Sequence, residues 1–271
     1  MKNKTIYGTK EWASRNENLI KGCSHDCRYC YAKSMIIQHK NNTKENWKIE
    51  IVNQDKLKKG FRKYNGMIMF PSSHDITPEH LNECVTFLYY ILKPGNNVLI
   101  VSKPHFNCIK EICDYFNQYK DKILFRFTIG SSDSKILNFW EPNAPDFEER
   151  LESLKYAFNA GYQTSISCEP MLDDKIDQVI TQVSPYVTET IWLGKPNKLN
   201  ERLSMNGFKN DQLTMGEAQR LKLLFSDEYI LELYDRHKNN PKIMWKDSIK
   251  KVVLMNKLQL KSQNIIVIKR I

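Results

Sequence analysis

One short stretch organises this sequence, and it reads Gly22-Cys23-Ser24-His25-Asp26-Cys27-Arg28-Tyr29-Cys30-Tyr31. Its three cysteines are separated first by three residues and then by two. Thiolate sulfur is a soft ligand that suits iron–sulfur clusters, zinc and copper(I). An iron–sulfur cube normally takes four protein ligands, so three closely spaced cysteines would leave one iron open to a small molecule. The spacing therefore predicts a metal centre with an open position.

A structural zinc site is the alternative interpretation of this stretch. A closed zinc site needs four ligands, and the nearest candidate for the fourth is His25, which lies between two of the cysteines, where simultaneous chelation would be cramped. Four further cysteines stand alone in apolar or helical sequence, where a cysteine is typically a small buried hydrophobe: Cys84, Cys108, Cys113 and Cys168. The iron–sulfur interpretation is therefore favoured over zinc.

The composition predicts a globular cytoplasmic protein. Of the 271 residues 41% are hydrophobic and 27% charged, which is enough for a sizeable core in a single domain over residues 1–271. No apolar run approaches the roughly 18 residues of a membrane span, and the N-terminal sequence is polar rather than signal-like. Seven cysteines, three of them clustered, do not suit a disulfide framework. We therefore expect a reducing cytoplasm and no membrane partner.

The charge balance favours an anionic partner. The formal net charge is +10 and the pI is about 9.1, and nucleic acid is the commonest partner of such proteins. The lysines are scattered along the chain, so a solvated basic surface explains the charge equally well. Nucleic acid is therefore a candidate partner rather than a requirement.

Apolar runs alternate with helical segments through the first two thirds of the chain. Strands are expected at residues 19–20, 67–70, 98–101, 124–129, 163–168 and 190–193, with a further short strand near 47–52. Helices are expected at residues 32–39, 78–92, 106–119, 145–160 and 175–183. Nearly all-apolar strands separated by helices favour a parallel sheet. Five or six such units suit an α/β barrel or partial barrel.

The pattern loosens after Gly194. A loop is expected over residues 195–212, where Asn206-Gly207 is a turn signal. Helices are expected at 214–238 and 243–260, and a final strand at 265–268.

The cysteine stretch resembles the cluster loop of the radical S-adenosylmethionine (SAM) enzymes, C-x3-C-x2-C with an aromatic residue, here Tyr29, before the last cysteine. Within that superfamily it resembles the spore photoproduct lyase-like branch, also labelled DNA-repair photolyase-like. The sequence is similar to that branch at further places: Phe125-Arg126-Phe127-Thr128-Ile129, Glu141-Pro142, Arg150-Leu151-Glu152 and Ala160-Gly161. The resemblance covers residues 16–197, which leaves 198–271 as a mainly helical C-terminal extension.

This resemblance implies a partial (β/α)6 barrel in which Cys23, Cys27 and Cys30 hold three irons of a 4Fe–4S cluster and SAM chelates the fourth. Reductive cleavage of SAM would generate a 5′-deoxyadenosyl radical that abstracts hydrogen from the substrate. The electron would come from a flavodoxin- or ferredoxin-like reductant. The substrate is undetermined, with a nucleic acid or nucleotide as the first candidate, and a monomer is favoured.

The resemblance also implies a set of SAM contacts: Tyr29, Tyr31, Ser72, Ser73, Lys103, Arg126, Thr128 and Glu169. Ser73, Lys103 and Glu169 each follow a strand, and in such sheets functional groups collect at the carboxyl ends of strands. Arg126 and Thr128 lie within a strand, where a buried polar network is an equal alternative.

Other polar residues near these strands allow two interpretations. His74 and Asp75 are a candidate acid and base, with the start of the following helix as the alternative role of Asp75. Arg150 and Glu141 are expected to form a structural ion pair.

One departure from the branch bears on the reaction. Spore photoproduct lyase carries a hydrogen-donating cysteine after its second strand, whereas the matching stretch here, Phe70-Pro71-Ser72-Ser73-His74-Asp75, has none. Two alternative functions therefore stay open. One is a non-catalytic iron–sulfur or zinc protein that binds nucleic acid, and the other is a radical SAM enzyme acting on a peptide or a small metabolite.

Overall fold

The computed structural model describes residues 8–39 and 43–268, with side chains described as far as residue 258. Nine strands lie in this part of the chain: β1 Arg15–Asn16, β2 Ile20–Lys21, β3 Ile51–Val52, β4 Met67–Met69, β5 Asn97–Ser102, β6 Ile123–Thr128, β7 Gln163–Cys168, β8 Ile191–Leu193 and β9 Ile243–Trp245. Seven of them form one sheet in the order β1-β4-β5-β6-β7-β8-β9, and every pairing in it is parallel. The remaining two, β2 and β3, form a separate antiparallel pair.

Helices connect these strands. They are α1 Tyr31–Gln38, α2 Gln54–Leu57, α3 Leu81–Leu92, α4 Phe106–Tyr115, α5 Ser134–Trp140, α6 Phe147–Asn159, α7 Ile176–Val183, α8 Leu199–Leu203, α9 Gln212–Leu224, α10 Asp227–His237 and α11 Asp247–Ile268. Side-chain caps begin several of them, as at α6, where the Asp146 carboxylate accepts a hydrogen bond from the Glu149 amide at 2.9 Å. Gly161, with φ +83°, follows the end of α6 as the sequence predicts.

The two faces of the sheet bury different kinds of side chain. Phe125 and Phe127 of β6 are fully buried in the main core, which they share with apolar residues of the helices. Arg126, between them, faces the opposite side, because successive side chains of a strand alternate. On that inner face a smaller apolar cluster contains Met69, Leu99 and Ala13. The inner face is therefore partly polar.

The mixed α/β fold with a parallel sheet is confirmed, and so are the strands expected at 67–70, 98–101, 124–129, 163–168 and 190–193. The expected strand at 19–20 forms as β2, but it pairs with β3 and not with the main sheet. The sheet edge is taken instead by β1, whose Arg15 and Asn16 are exposed. Because neither residue is apolar, hydrophobic periodicity gives no signal for this strand.

Four expectations for the C-terminal third are wrong. The expected loop at 195–212 contains α8 and a π-helical turn, Ser204–Phe208. The expected helix at 214–238 is two helices, α9 and α10, the second capped by Ser226. Ile243–Trp245, expected as helix, is strand β9, whose backbone is paired with β8. The strand expected at 265–268 is the end of α11.

Within residues 8–39 and 43–268, no helix has both the length and the apolar character needed to cross a bilayer.

Gly22 joins β2 to the cysteine stretch, and we predict that any side chain at this position destabilises the fold. Its φ is +98°, and an added Cβ would lie 2.7 Å from the Trp47 carbonyl oxygen and closer still to that of Ile49. Gly22→Ala should therefore lower the free energy of unfolding by at least about 2 kcal/mol, measured by urea denaturation.

Gly216 provides the matched control. It lies inside α9 with no atom within 4 Å of an added Cβ. Gly216→Ala should raise the free energy of unfolding by about 1 kcal/mol, because alanine has the higher helix propensity. Equal effects of the two substitutions would contradict the assigned role of Gly22.

Candidate functional site

The three clustered cysteines lie in one loop between β2 and α1, with Cys23 and Cys27 buried and Cys30 half-buried. Cys23 is 6% exposed and Cys27 5% exposed, and all three are free thiols. Cys30 is the N-cap of α1, and its Sγ accepts a hydrogen bond from the Lys33 amide at 3.4 Å. Burial raises the pKa of each of the three thiols. A bound metal cation would instead lower these pKa values, because it stabilises the thiolate form.

Asp75 connects this loop to the carboxyl edge of the sheet, the edge at which β4 to β8 end. Its Oδ2 lies 2.8 Å from Nδ1 of His25 and 3.9 Å from Sγ of Cys23. Its Oδ1 accepts hydrogen bonds from the Lys103 amide at 2.8 Å and the Ser102 hydroxyl at 3.0 Å. One carboxylate therefore holds the cysteine loop against the end of β5.

The electrostatics of Asp75 follow from its neighbours. Burial raises the pKa of its carboxyl, but Lys103 and then His25 outweigh that effect, so the pKa lies well below its usual value. The Lys103 ammonium is 3.7 Å from Oδ2. Burial lowers the pKa of Lys103, but Asp75 and then Cys27 outweigh it and hold that pKa well above its usual value. Both groups are therefore charged at neutral pH, next to the cysteines.

His25 continues this network toward the surface. Its Nε2 lies 2.9 Å from Nε2 of His105, whose Nδ1 is 3.6 Å from the Glu149 carboxylate. The donor atoms of Cys23, His25 and Asp75 lie within 4.8 Å of one another. Cys27 and Cys30 are outside that group among the described side chains. The geometry therefore does not assemble the three-cysteine, one-histidine set of a structural zinc site.

The two tyrosines of the loop have different surroundings. The buried hydroxyl of Tyr29 donates to the Glu141 carboxylate, and burial raises the pKa of this phenol. The hydroxyl of Tyr31 donates to the Ser72 carbonyl, while 40% of its surface stays exposed. Glu141 also pairs with the fully buried Arg150 at 2.6 Å, which confirms the expected structural ion pair. Tyr29 is therefore held by a structural network, whereas Tyr31 borders the open surface.

Asn18 fixes the loop after β4. Its Oδ1 accepts from the amides of Ser72 and Ser73 at 2.7 and 2.8 Å, and its Nδ2 donates to the Ser72 hydroxyl at 2.9 Å. Both serines therefore lie at the carboxyl edge, beside the strand that leads into the cysteine loop. The sequence gives no signal for Asn18, because the contact spans 54 residues.

His74 holds the backbone and is not a free acid or base. Its Nε2 accepts from the amides of Leu19 and Ile20 at 3.1 and 3.2 Å, and its Nδ1 donates to the Asp75 carbonyl at 2.8 Å. Burial lowers the pKa of this imidazole, which keeps it neutral. Of the two candidate groups, only Asp75 faces the cysteines.

The remaining predicted residues divide into two places. Glu169 lies at the carboxyl edge, 3.6 Å from the Lys246 ammonium, and burial raises its pKa. Thr128, at the end of β6, is half-buried at the same edge. Arg126 lies deeper on the inner face, where its Nε donates to the Ser165 hydroxyl at 2.9 Å. Among the described residues Arg126 makes no hydrogen bond to the cysteine loop, and its role as a SAM contact stays a prediction.

The C-terminal extension also contributes to the site. Asn206, in the π-helical turn, donates to the carbonyls of Arg28 and Cys30 at 2.9 and 3.0 Å. Arg202 of α8 lies 5.9 Å from the Tyr31 ring. Burial lowers the pKa of Arg202, and Cys30 and Glu169 act in the opposite direction. Sequence reasoning missed these residues because it expected a loop there.

Replacement of Asp75 by Asn tests the connection between loop and sheet. Asp75→Asn should lower the free energy of unfolding at pH 7 by about 3 kcal/mol, because it leaves Lys103 buried without its partner. Since the folded-state pKa lies below the ordinary value of 3.8, this contribution exists above pH 3.8 and is lost as the pH falls further. Urea denaturation at several pH values measures this contribution.

Asp114→Asn is the control. It removes an exposed carboxylate paired with Lys110 and should have little effect on the free energy of unfolding. Equal effects of the two substitutions would contradict the role of Asp75.

Comparison with known proteins agrees with this geometry. The family model of the Radical SAM superfamily matches residues 18–178. An uncharacterised protein, ORF301, of Acidianus two-tailed virus is 24% identical over 169 residues, which are 57% of this chain and 54% of that protein. The chain thus spans about half the length of this relative.

Two solved structures share the fold. Spore photoproduct lyase complexed with dinucleoside spore photoproduct superposes with a TM-score of 0.52 at 15% identity, covering 72% of this chain and 60% of that one. A tyrosine-to-phenylalanine variant of the same enzyme gives 0.53 at 13% identity, covering 90% and 79%. Because the family model covers more than half of the chain, this protein belongs to the radical SAM superfamily, and its fold is similar to that of spore photoproduct lyase.

Proposed function

We propose that this protein is a radical SAM enzyme that holds a 4Fe–4S cluster on Cys23, Cys27 and Cys30 and uses SAM to start hydrogen abstraction from a substrate. The observation that carries the proposal is the loop of three free cysteines, two of them buried and Cys30 half-buried, with Cys23 beside Asp75 at the carboxyl edge of a parallel sheet. Functional groups collect at this edge in folds of this type.

The donor set fits such a cluster. Three soft thiols suit iron–sulfur ligation and leave one iron for SAM. Cys23 and Cys27 are buried, and Cys30 already accepts a backbone hydrogen bond of the kind that stabilises a thiolate. When bound, the cluster supplies the electron that splits SAM into methionine and a 5′-deoxyadenosyl radical.

Residues of the carboxyl edge would hold SAM. Lys103 carries a positive charge suited to the methionine carboxylate. Ser72, Ser73, Thr128 and Glu169 present hydroxyl and carboxylate groups that can bind the ammonium or the ribose. Tyr29 and Tyr31 flank the cysteines within the loop.

We propose a nucleic acid or a nucleotide as the first substrate candidate. The net charge of +10 supports it, as does the fold shared with an enzyme that was solved with a dinucleoside photoproduct. We do not extend the lyase reaction to this chain. No cysteine follows β4 over residues 70–75, and Cys84 and Cys168 are fully buried in the core.

The reaction requires an electron donor from outside the chain. We propose a flavodoxin- or ferredoxin-like protein in a reducing cytoplasm, acting on a monomer.

Replacement of the cysteines tests the ligand assignment. Cys23→Ala, Cys27→Ala and Cys30→Ala should each abolish the SAM-responsive 4Fe–4S signal and the formation of 5′-deoxyadenosine, because each removes one of three ligands. Paramagnetic resonance of the anaerobically reconstituted, reduced protein and chromatography of the nucleoside measure the two effects.

Cys113→Ala is the matched control, since Cys113 is a core thiol in α4, and it should retain both signals. Retained cleavage in a loop variant would show that the assignment is wrong. A reconstituted wild type that binds zinc and gives no 5′-deoxyadenosine would favour the non-catalytic alternative.

Salt dependence tests the substrate class. A labelled single-stranded oligonucleotide should bind with an affinity that falls as salt rises, with a log–log slope of about −0.7 for each phosphate contact. Fluorescence anisotropy measures the slope. Absence of binding at low salt would instead favour a peptide or small-metabolite substrate.

A further inference from the structure

Three side chains from separate parts of the chain meet on the inner face of the sheet. The Arg126 guanidinium of β6 lies 4.6 Å from the ring of Trp12 and 5.5 Å from the ring of Trp192 in β8. The two indole rings contact each other edge to face, with their centroids 5.7 Å apart. We call these three residues the inner-face cluster.

Each member of the inner-face cluster carries a buried hydrogen-bond donor that has no partner among the described residues. These donors are Nη1 of Arg126, Nε1 of Trp12 and Nε1 of Trp192. A buried donor without an acceptor is costly and uncommon in folded proteins. The three donors belong to side chains that contact one another.

The charge of Arg126 is offset by the faces of the two indole rings and by the exposed Glu189, which raises its pKa from a distance beyond an ion pair. Arg126 is 5% exposed and forms no ion pair within the described residues. Its Nε binds only the neutral Ser165 hydroxyl, at 2.9 Å. Burial lowers the pKa of Arg126 to about 10, so the group stays cationic at neutral pH.

The neighbouring cation, by contrast, is already neutralised. Lys246 lies 4.3 Å from the Trp12 ring, and its ammonium pairs with Glu11 at 2.6 Å and with Glu169 at 3.6 Å. Arg126, unlike Lys246, therefore has no carboxylate in direct contact within the described residues.

The chain holds this arrangement firmly. Ala13 packs with Met69 and Leu99 on the sheet, and Trp12 packs against the same cluster in the segment that leads into β1. Glu11 anchors the same segment through Lys246 and also through Lys250, at 2.9 Å. Trp192 is fixed by its place in β8, opposite Ser167 of β7. The donors are therefore pre-organised.

We propose that the inner-face cluster is an oxyanion site that binds a carboxylate or phosphate group of the substrate. Arg126 supplies its charge and the unpartnered Nη1 donor, and the indole N–H groups of Trp12 and Trp192 supply further donors. A single negative charge matches the single unpaired cation. Naming the substrate as the source of this group rests on the proposed function, whereas the anion binding itself does not.

Tryptophan fluorescence of the 271-residue protein detects binding at this site, whether or not a 4Fe–4S cluster is bound. Acetate and inorganic phosphate are titrated at constant ionic strength against chloride. A saturable change in fluorescence and a rise in Tm with either oxyanion, but not with chloride, is the expected result. Lack of any difference from chloride would overturn the proposal and leave water as the acceptor.

Two variants locate the response. Arg126→Met should weaken oxyanion binding at least about tenfold, and it should raise the Tm of the anion-free protein because an unpaired buried charge is removed. Trp192→Phe keeps an aromatic ring but deletes one donor, and it should weaken binding while the protein stays folded. Arg220→Met, which removes an exposed arginine paired with Glu217, is the control and should change nothing. Unaltered binding in Arg126→Met would overturn the assignment.

A final titration distinguishes SAM from the substrate as the source of the bound oxyanion. SAM is titrated into the wild type and into Arg126→Met. If SAM competes with acetate for the site, the cofactor carboxylate is the ligand and the substrate assignment is overturned. If SAM leaves acetate binding unchanged, the assignment to substrate stands. Failure of 5′-deoxyadenosine formation would contradict the proposed function without affecting the anion titrations.

Discussion

The carboxylate of Asp75 is the interaction on which the site depends. It is buried, and it joins the cysteine loop through His25 to the end of β5 through Ser102 and Lys103. Burial of a carboxylate is unfavourable unless hydrogen bonds and an opposite charge compensate it. Here two donors, an imidazole and an ammonium do so, and the same contacts set the position of the cysteines relative to the sheet.

The side chains of β6 alternate between the apolar core, which stabilises the fold, and the inner face, which carries polar groups. Phe125 and Phe127 supply the apolar side that packs against helices, while Arg126 and Thr128 face inward. This inner face carries unpaired donors and a charge that the apolar core could not tolerate. A parallel sheet covered by helices on one side therefore leaves its other side available for ligands.

The C-terminal extension belongs to the site as well as to the fold. Strand β9 extends the sheet, and Lys246 directly after it reaches both Glu11 and Glu169. Asn206 binds the carbonyl of Cys30 from a turn that is nearly 180 residues away in the chain. Residues outside the matched family region thus hold the loop that lies inside it.

The sequence by itself determined the superfamily, the cysteine loop and the five long or strongly apolar strands, because cysteine spacing and hydrophobic periodicity are local patterns. It also indicated the Glu141–Arg150 pair and the carboxyl-edge positions of Ser73, Lys103 and Glu169. Only the tertiary structure decided that β1 and β9 complete the sheet, that His74 binds backbone, and that Trp12, Arg126 and Trp192 meet. Their partners are dozens of residues away, and contacts over such separations leave no pattern in the local sequence.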